Sequence, residues 1–172
     1  MTKIELNITT NEPGWDDYLP DNQELSRRVA ETACEYVNKH NALNFLQLGK
    51  PLVINLCLSD DNEVHTLNRD FRNMDKPTNV LSFANIDSLN FEEECKFNDE
   101  IELGDIIIAL ETMRREAAEK SIALHDHYCH LLTHGILHLL GFDHMEDEEA
   151  EYMESFEVEI LKLLHINNPY QE

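Results

Sequence analysis

His134-Gly135-Ile136-Leu137-His138-Leu139-Leu140-Gly141-Phe142-Asp143-His144 is the stretch on which the reading of this chain turns. On the helix that runs into it, Tyr128, Leu131, Leu132, Ile136 and Leu139 form one broad apolar stripe, and Leu137 and Leu140 add apolar surface elsewhere. A helix greasy nearly all round is predicted to lie at the centre of the molecule. The exception is a seam in which His127, His130, His134 and His138 fall within an arc of about 80°. Buried imidazoles need partners, so this seam asks for a ligand or a polar network.

His134 and His138 are four residues apart, so their rings project side by side and can share one metal ion. Gly141 can end the helix in a left-handed conformation, and the chain then turns over Phe142-Asp143 and brings His144 towards the same point. Three imidazoles with an open fourth position are the pattern of catalytic zinc, which brings the pKa of a bound water down to about 7. Structural zinc is normally closed by a fourth protein ligand. Cys129, the thiol on this helix, stands about 140° round from His134 and does not fit that role. The plain alternative is a core helix whose histidines bond backbone carbonyls. The spacing is similar to the metzincin peptidase motif, but those enzymes carry a general-base glutamate directly after the first histidine, and here that residue is Gly135. A peptidase reading therefore lacks its central proton-transfer group. His127 and His130 could support the site from behind or be ordinary structural residues. Asp143 could orient a ring, assist proton transfer or cap the turn. His40, His65, His125 and His165 sit in ordinary polar settings.

Outward from the histidines, residues 3–8 and 52–58 and the runs 79–84 and 102–109 read as strands. Helical spacing marks 22–38, a segment opened by Asp60 and Glu63, and then 110–121, 124–140 and 146–164. Residues 10–21 and 87–100 read as loops, and Pro77 ends the region before the third strand. Together these predict an α+β domain: a small mixed β-sheet of about four strands packed with about five or six helices, the metal site on a buried central helix. The length of 172 residues fits one domain, taken as 1–172.

The chain carries 35 acidic and 13 basic residues, a formal charge of −22. Such a field repels phosphate and anionic lipid, so a nucleic-acid partner requires a local basic patch, a metal ion or a carrier protein. No apolar run approaches the ~18 residues of a membrane span, and no secretory signal is visible at the N-terminus. Cys34, Cys57, Cys95 and Cys129 are scattered without a C-x-x-C pair, as reduced cytoplasmic thiols would be. Within this acidic chain, Arg69, Arg72 and Lys76 gather before Pro77. Arg72 is the candidate anion grip, since a guanidinium can hold phosphate through two parallel bonds; the alternative is surface pairing with Asp70 and Asp75. Arg114, Arg115 and Lys120 alternate with Glu111, Glu116 and Glu119 as a solvated helix face would. The acidic run from Glu146 to Glu149 suits the start of a helix.

With these residues in place, the chain resembles the YbeY family of bacterial endoribonucleases and rRNA maturation factors, from about Val53 to Tyr170. His134, His138 and His144, with Gly135, Leu137, Gly141 and Asp143, match its histidine signature. Asn68, Phe71, Arg72, Asp75, Pro77, Thr78, Val80, Leu81, Ser82 and Phe83 look like its second signature, and Leu103-Gly104-Asp105-Ile106 like its third. Asn79 stands where many members have Asp. The resemblance implies zinc (one Zn²⁺ per chain) on the three histidines, an arginine at Arg72 in the cleft, and cleavage of single-stranded RNA. It further implies a part in 16S rRNA 3′-end maturation and 70S ribosome quality control in the cytoplasm. The implied partners are rRNA or a ribosomal particle, a small-subunit ribosomal protein and an Era-type GTPase, with neither DNA nor membrane. A catalytic set of Arg72, His134, His138 and His144 follows, with His127, His130 or Asp143 as possible proton shuttles. Two other readings stay open: a ribosome-assembly factor with a structural metal and no nuclease activity, and a metallopeptidase of metzincin type.

Overall fold

Residues 3–41, 43–74, 76 and 78–171 are described in the structure, a computed structural model. Asp75 and Pro77, both part of the second signature, lie outside the described residues. Four strands form one mixed sheet: β1 (Ile4–Thr10), β2 (Leu52–Ser59), β3 (Val80–Ala84) and β4 (Ile101–Ala109), in the order β1-β2-β4-β3. β1 runs parallel to β2 and β2 to β4, whereas β3 is antiparallel to β4. Among the described residues there are seven α-helices: α1 (Gly14–Tyr18), α2 (Asn22–His40), α3 (Asp61–Arg72), α4 (Phe91–Phe97), α5 (Leu110–Glu119), α6 (Leu124–Leu139) and α7 (Asp147–Leu163). The α+β class and the four-stranded mixed sheet agree with the sequence reading.

The two helices that the sequence reading lacks are short and sit on its two loops. In α1, Trp15 is fully buried, its indole donating to the Ser59 carbonyl at 2.9 Å and its ring 5.5 Å from that of Tyr128. Burial of that large side chain holds one helical turn between Pro13-Gly14 and Pro20. In α4, Phe91 and Cys95 are one turn apart and both buried, so the acidic stretch from 87 to 100 is anchored by an inner face and is not an open loop.

Alternation along the strands decides which face is which. Leu52, Ile54, Leu56 and Leu58 of β2, with Leu103, Ile106 and Ile108 of β4, meet the main core. That core is closed by α2 and α6. A shift in pairing between Val53 and Ile54 is matched by Gly104 (φ +138°), where a Cβ would stand 2.1 Å from the Phe83 carbonyl oxygen. Val64 of α3 packs with Leu81, Ile107 and Ala109 on the opposite face. Asp60 accepts from the Glu63 amide at 2.8 Å, so half of the expected capping box forms. The Glu63 carboxylate accepts instead from the Ser59 hydroxyl at 2.6 Å and the Asn11 amide at 3.1 Å.

α6 is the hub, packed against α2, α5, α7, β3 and β4. Tyr128, Leu132, Ile136, Leu137 and Leu139 are fully buried, and fully burying a Leu or Ile contributes ~1.5–3 kcal/mol. No helix among the described residues is long and apolar enough to cross a membrane.

Candidate metal centre

Gly135 sets how α6 meets the sheet. A Cβ there would stand 3.1 Å from Ile106 Cγ2 and 3.2 Å from the Ser82 hydroxyl, so the helix reaches this depth because residue 135 has no side chain. The Ser82 hydroxyl donates to the Gly135 carbonyl at 3.3 Å. At this depth the flanking His134 and His138 come to the mouth of a cleft of about 910 Å³ between α6 and β3.

The helix ends as its glycine requires. The Phe142 amide donates to the Leu137 carbonyl at 3.0 Å and the Gly141 amide to the His138 carbonyl at 3.1 Å. With Gly141 at φ +98°, these two bonds make a Schellman turn. Phe142 then buries its ring 4.9 Å from that of Phe156 and 5.6 Å from that of Tyr152, which fixes the return path. His144 arrives with its ring centroid 4.9 Å from that of His138 and 5.5 Å from that of His134. One nitrogen from each of the three rings lies within 4.8 Å of the others. The structure thus brings together the three histidines that the sequence nominates, and the cluster could hold a metal ion.

The hydrogen-bond pattern tests whether a cation fits. His138 Nδ1 donates to the Phe142 carbonyl at 3.0 Å, and His134 Nδ1 donates to the Glu157 carboxylate at 3.2 Å. Both protons are therefore on the outer nitrogens. With both rings neutral, the two Nε2 atoms face one another lone pair to lone pair at 3.1 Å. Two such lone pairs repel unless a cation lies between them. Nitrogens about 2.0–2.1 Å from a tetrahedral zinc stand roughly 3.3 Å apart. Burial, then the neighbouring rings of His134 and His144, push His138 down to about 4, which keeps it neutral and able to ligate at pH 7. The donor set fits zinc.

Arg72, at the end of α3, lines the same cleft. Its guanidinium donates to the Ser82 carbonyl and lies 5.4 Å from the centre of the Phe83 ring. Ser82 therefore holds Arg72 through its carbonyl and α6 through its hydroxyl. Asn68 shapes the wall beyond: it is buried, and its amide donates to the Lys76 carbonyl at 2.9 Å. Arg69 pairs with Asp70 at 3.1 Å, the surface role weighed for this cluster. Phe71, Met74 and Met145 are exposed around the cleft mouth.

The remaining candidates separate. His130 Nε2 donates to Glu157 at 2.7 Å and so reaches the centre through that carboxylate. His127 is buried and donates instead to Glu116 at 2.9 Å, on which the Asn79 amide also converges at 3.0 Å. Asp143 is exposed and accepts from the His144 amide at 2.7 Å, a turn-capping contact at the cleft edge. Arg114 covers the Tyr18 ring at 3.7 Å, and Arg115 donates to the Thr112 hydroxyl at 3.2 Å, so these two make local contacts away from the cleft. Cys129 is buried in the main core, as its position round the helix predicts. The sequence reading does not single out Glu157, which lies on the last helix. Its signal is the spacing Met153, Phe156, Glu157, Ile160, Leu161, one acid on a buried stripe.

The family model for "Endoribonuclease YbeY" matches residues 19–165. The chain belongs to the YbeY endoribonuclease family. A protein of Paramagnetospirillum magneticum named Endoribonuclease YbeY is 39% identical, with 98% of this chain and 97% of that protein covered. One of Zymomonas mobilis with the same name is 44% identical over 100% of this chain and 94% of its own. One of Sphingopyxis alaskensis, again so named, is 53% identical over 71% of this chain and 74% of its own. A solution structure of a Thermotoga maritima protein superposes with a TM-score of 0.54 at 22% identity, covering 98% of this chain and 100% of that one, which speaks for the fold alone. The family is one of hydrolases that act on RNA.

Proposed function

We propose that this protein is a zinc-dependent, single-strand-specific endoribonuclease, its hydrolase domain spanning residues 1–172. The observation that carries the reading is the pair of facing Nε2 atoms of His134 and His138, completed by His144, in one cleft with Arg72. His134, His138 and His144 would hold the ion, which when bound supplies Lewis acidity and hydroxide at neutral pH. Arg72, which lines the same cleft, would grip the scissile or a neighbouring phosphate and offset charge that develops in the transition state. Its tie to the Ser82 carbonyl fixes the guanidinium before substrate arrives. The exposed Phe71 beside it offers an unpaired base a ring to stack on.

Family membership supports a role in 16S rRNA 3′-end maturation and 70S ribosome quality control in the cytoplasm. A small-subunit ribosomal protein and an Era-type GTPase are the partners it suggests. The charge of −22 supports delivery of RNA on a ribosomal particle, because free RNA is repelled. Gly135 speaks against a peptidase: it supplies no carboxylate where such an enzyme needs its glutamate, and a Cβ there would press Ile106 and Ser82.

The test compares single-stranded RNA cleavage by the zinc-loaded protein with that of Arg72→Ala and His138→Ala. Arg72→Ala is expected to lower the rate by about 10²–10³-fold, the usual loss on removing one transition-state donor. Equal rates for Arg72→Ala and the parent would remove Arg72 from the chemistry. Cleavage that survives His138→Ala undiminished would refute the metal mechanism and favour an assembly factor without nuclease activity.

A further inference from the structure

Glu157 lies on α7, with only 1% of its side chain exposed, facing α6. An ionised carboxylate at such a site is costly unless donors surround it. Three do. Oε1 accepts from His130 Nε2 at 2.7 Å and from the Tyr170 hydroxyl at 2.7 Å, and Oε2 accepts from His134 Nδ1 at 3.2 Å. Tyr170 stands in a turn after α7, its ring 5.4 Å from that of His130.

We propose that Glu157 is the positioning residue of the metal centre, holding His134 in the tautomer that turns Nε2 to the ion, and that Tyr170 latches Glu157 in place. The inference rests on the zinc reading above. A neutral imidazole has one proton to place. With a carboxylate at Nδ1 the proton stays there, the ring cannot flip without breaking the bond, and the lone pair at Nε2 gains basicity. His138 receives the same service from the Phe142 carbonyl, a weaker acceptor, so the two rings are held from opposite ends of the helix turn. His130 and Tyr170 occupy Oε1, which leaves Oε2 for His134 alone. This explains why an acid sits on the buried stripe of α7, where packing alone would select an apolar residue.

Zinc is titrated into the metal-free full chain against a competing chromophoric chelator. In parallel, the imidazole ¹⁵N shifts of the metal-free protein report the His134 tautomer, and a thermal melt in chelator reports folding. Glu157→Gln is expected to weaken zinc binding by about 10–100-fold and to shift His134 from the Nδ1–H form towards a mixture. Tyr170→Phe removes one donor, keeps the carboxylate and should lose severalfold. If Glu157→Gln fails to fold without metal, Tyr170→Phe carries the test. Unchanged zinc affinity and an unchanged tautomer in the folded variants would overturn the proposal. A parent chain that takes up no zinc would instead overturn the metal reading, while the tautomer measurement still decides whether Glu157 sets the His134 proton.

Discussion

Gly135 gives the sharpest consequence at the level of single residues. A glutamate at this position would recreate the peptidase motif on paper, but its Cβ alone would press Ile106 and Ser82 of the sheet. Gly135→Glu is expected to cost about 3 kcal/mol or more in chemical denaturation and to yield no casein cleavage. A stable variant with peptidase activity would show that this packing argument is wrong. The histidines were legible because chemistry-bearing residues at fixed helical spacing leave few readings. Glu157 was harder, because a helix rich in Glu and Asp hides one inward acid unless each position is assigned to a face. Tyr170 gave no periodic signal at all, since it lies past the last helix and its partner is distant in sequence.

At the scale of elements, the α6 turn carries the site. Gly141→Ala places a Cβ at φ +98°, 3.2 Å from Ile86, and should cost about 1–2 kcal/mol. It should also weaken zinc binding in chelator competition, because both the acceptor for His138 and His144, the proposed third ligand, lie beyond the turn. Loss of stability with unchanged metal affinity would mean that the turn does not position His144. The Schellman geometry was readable from Gly141 and its spacing to the two flanking histidines. The helices α1 and α4 were not. Pro and Gly around Trp15, and five acids among residues 92–100, carry strong loop signals. The apolar anchors Trp15, Phe91 and Cys95 outweigh them through contacts that only the tertiary structure supplies.

For the whole molecule, the helix interior sets a pH response. Burial holds the His127 imidazole below its ordinary 6.5, against the pull of the Glu116 carboxylate and with Lys120 and His130 adding to the depression. The unfolded chain therefore takes up this proton first as pH falls. Stability from neutral His127 is complete above pH 6.5 and declines as pH drops through the lower folded value. Urea midpoints in chelator at pH 7.5 and 5.5 should fall less in His127→Gln than in the parent. An identical drop in both would exclude His127 as a source. The tie between α6 and α7 has a consequence in time as well. Synthesis runs from the N-terminus, so residues 134, 138 and 144 leave the ribosome before residues 157 and 170. The nascent chain makes its three clustered imidazoles first and the carboxylate that bonds one of them last, so His134 stays untethered until α7 has emerged and docked.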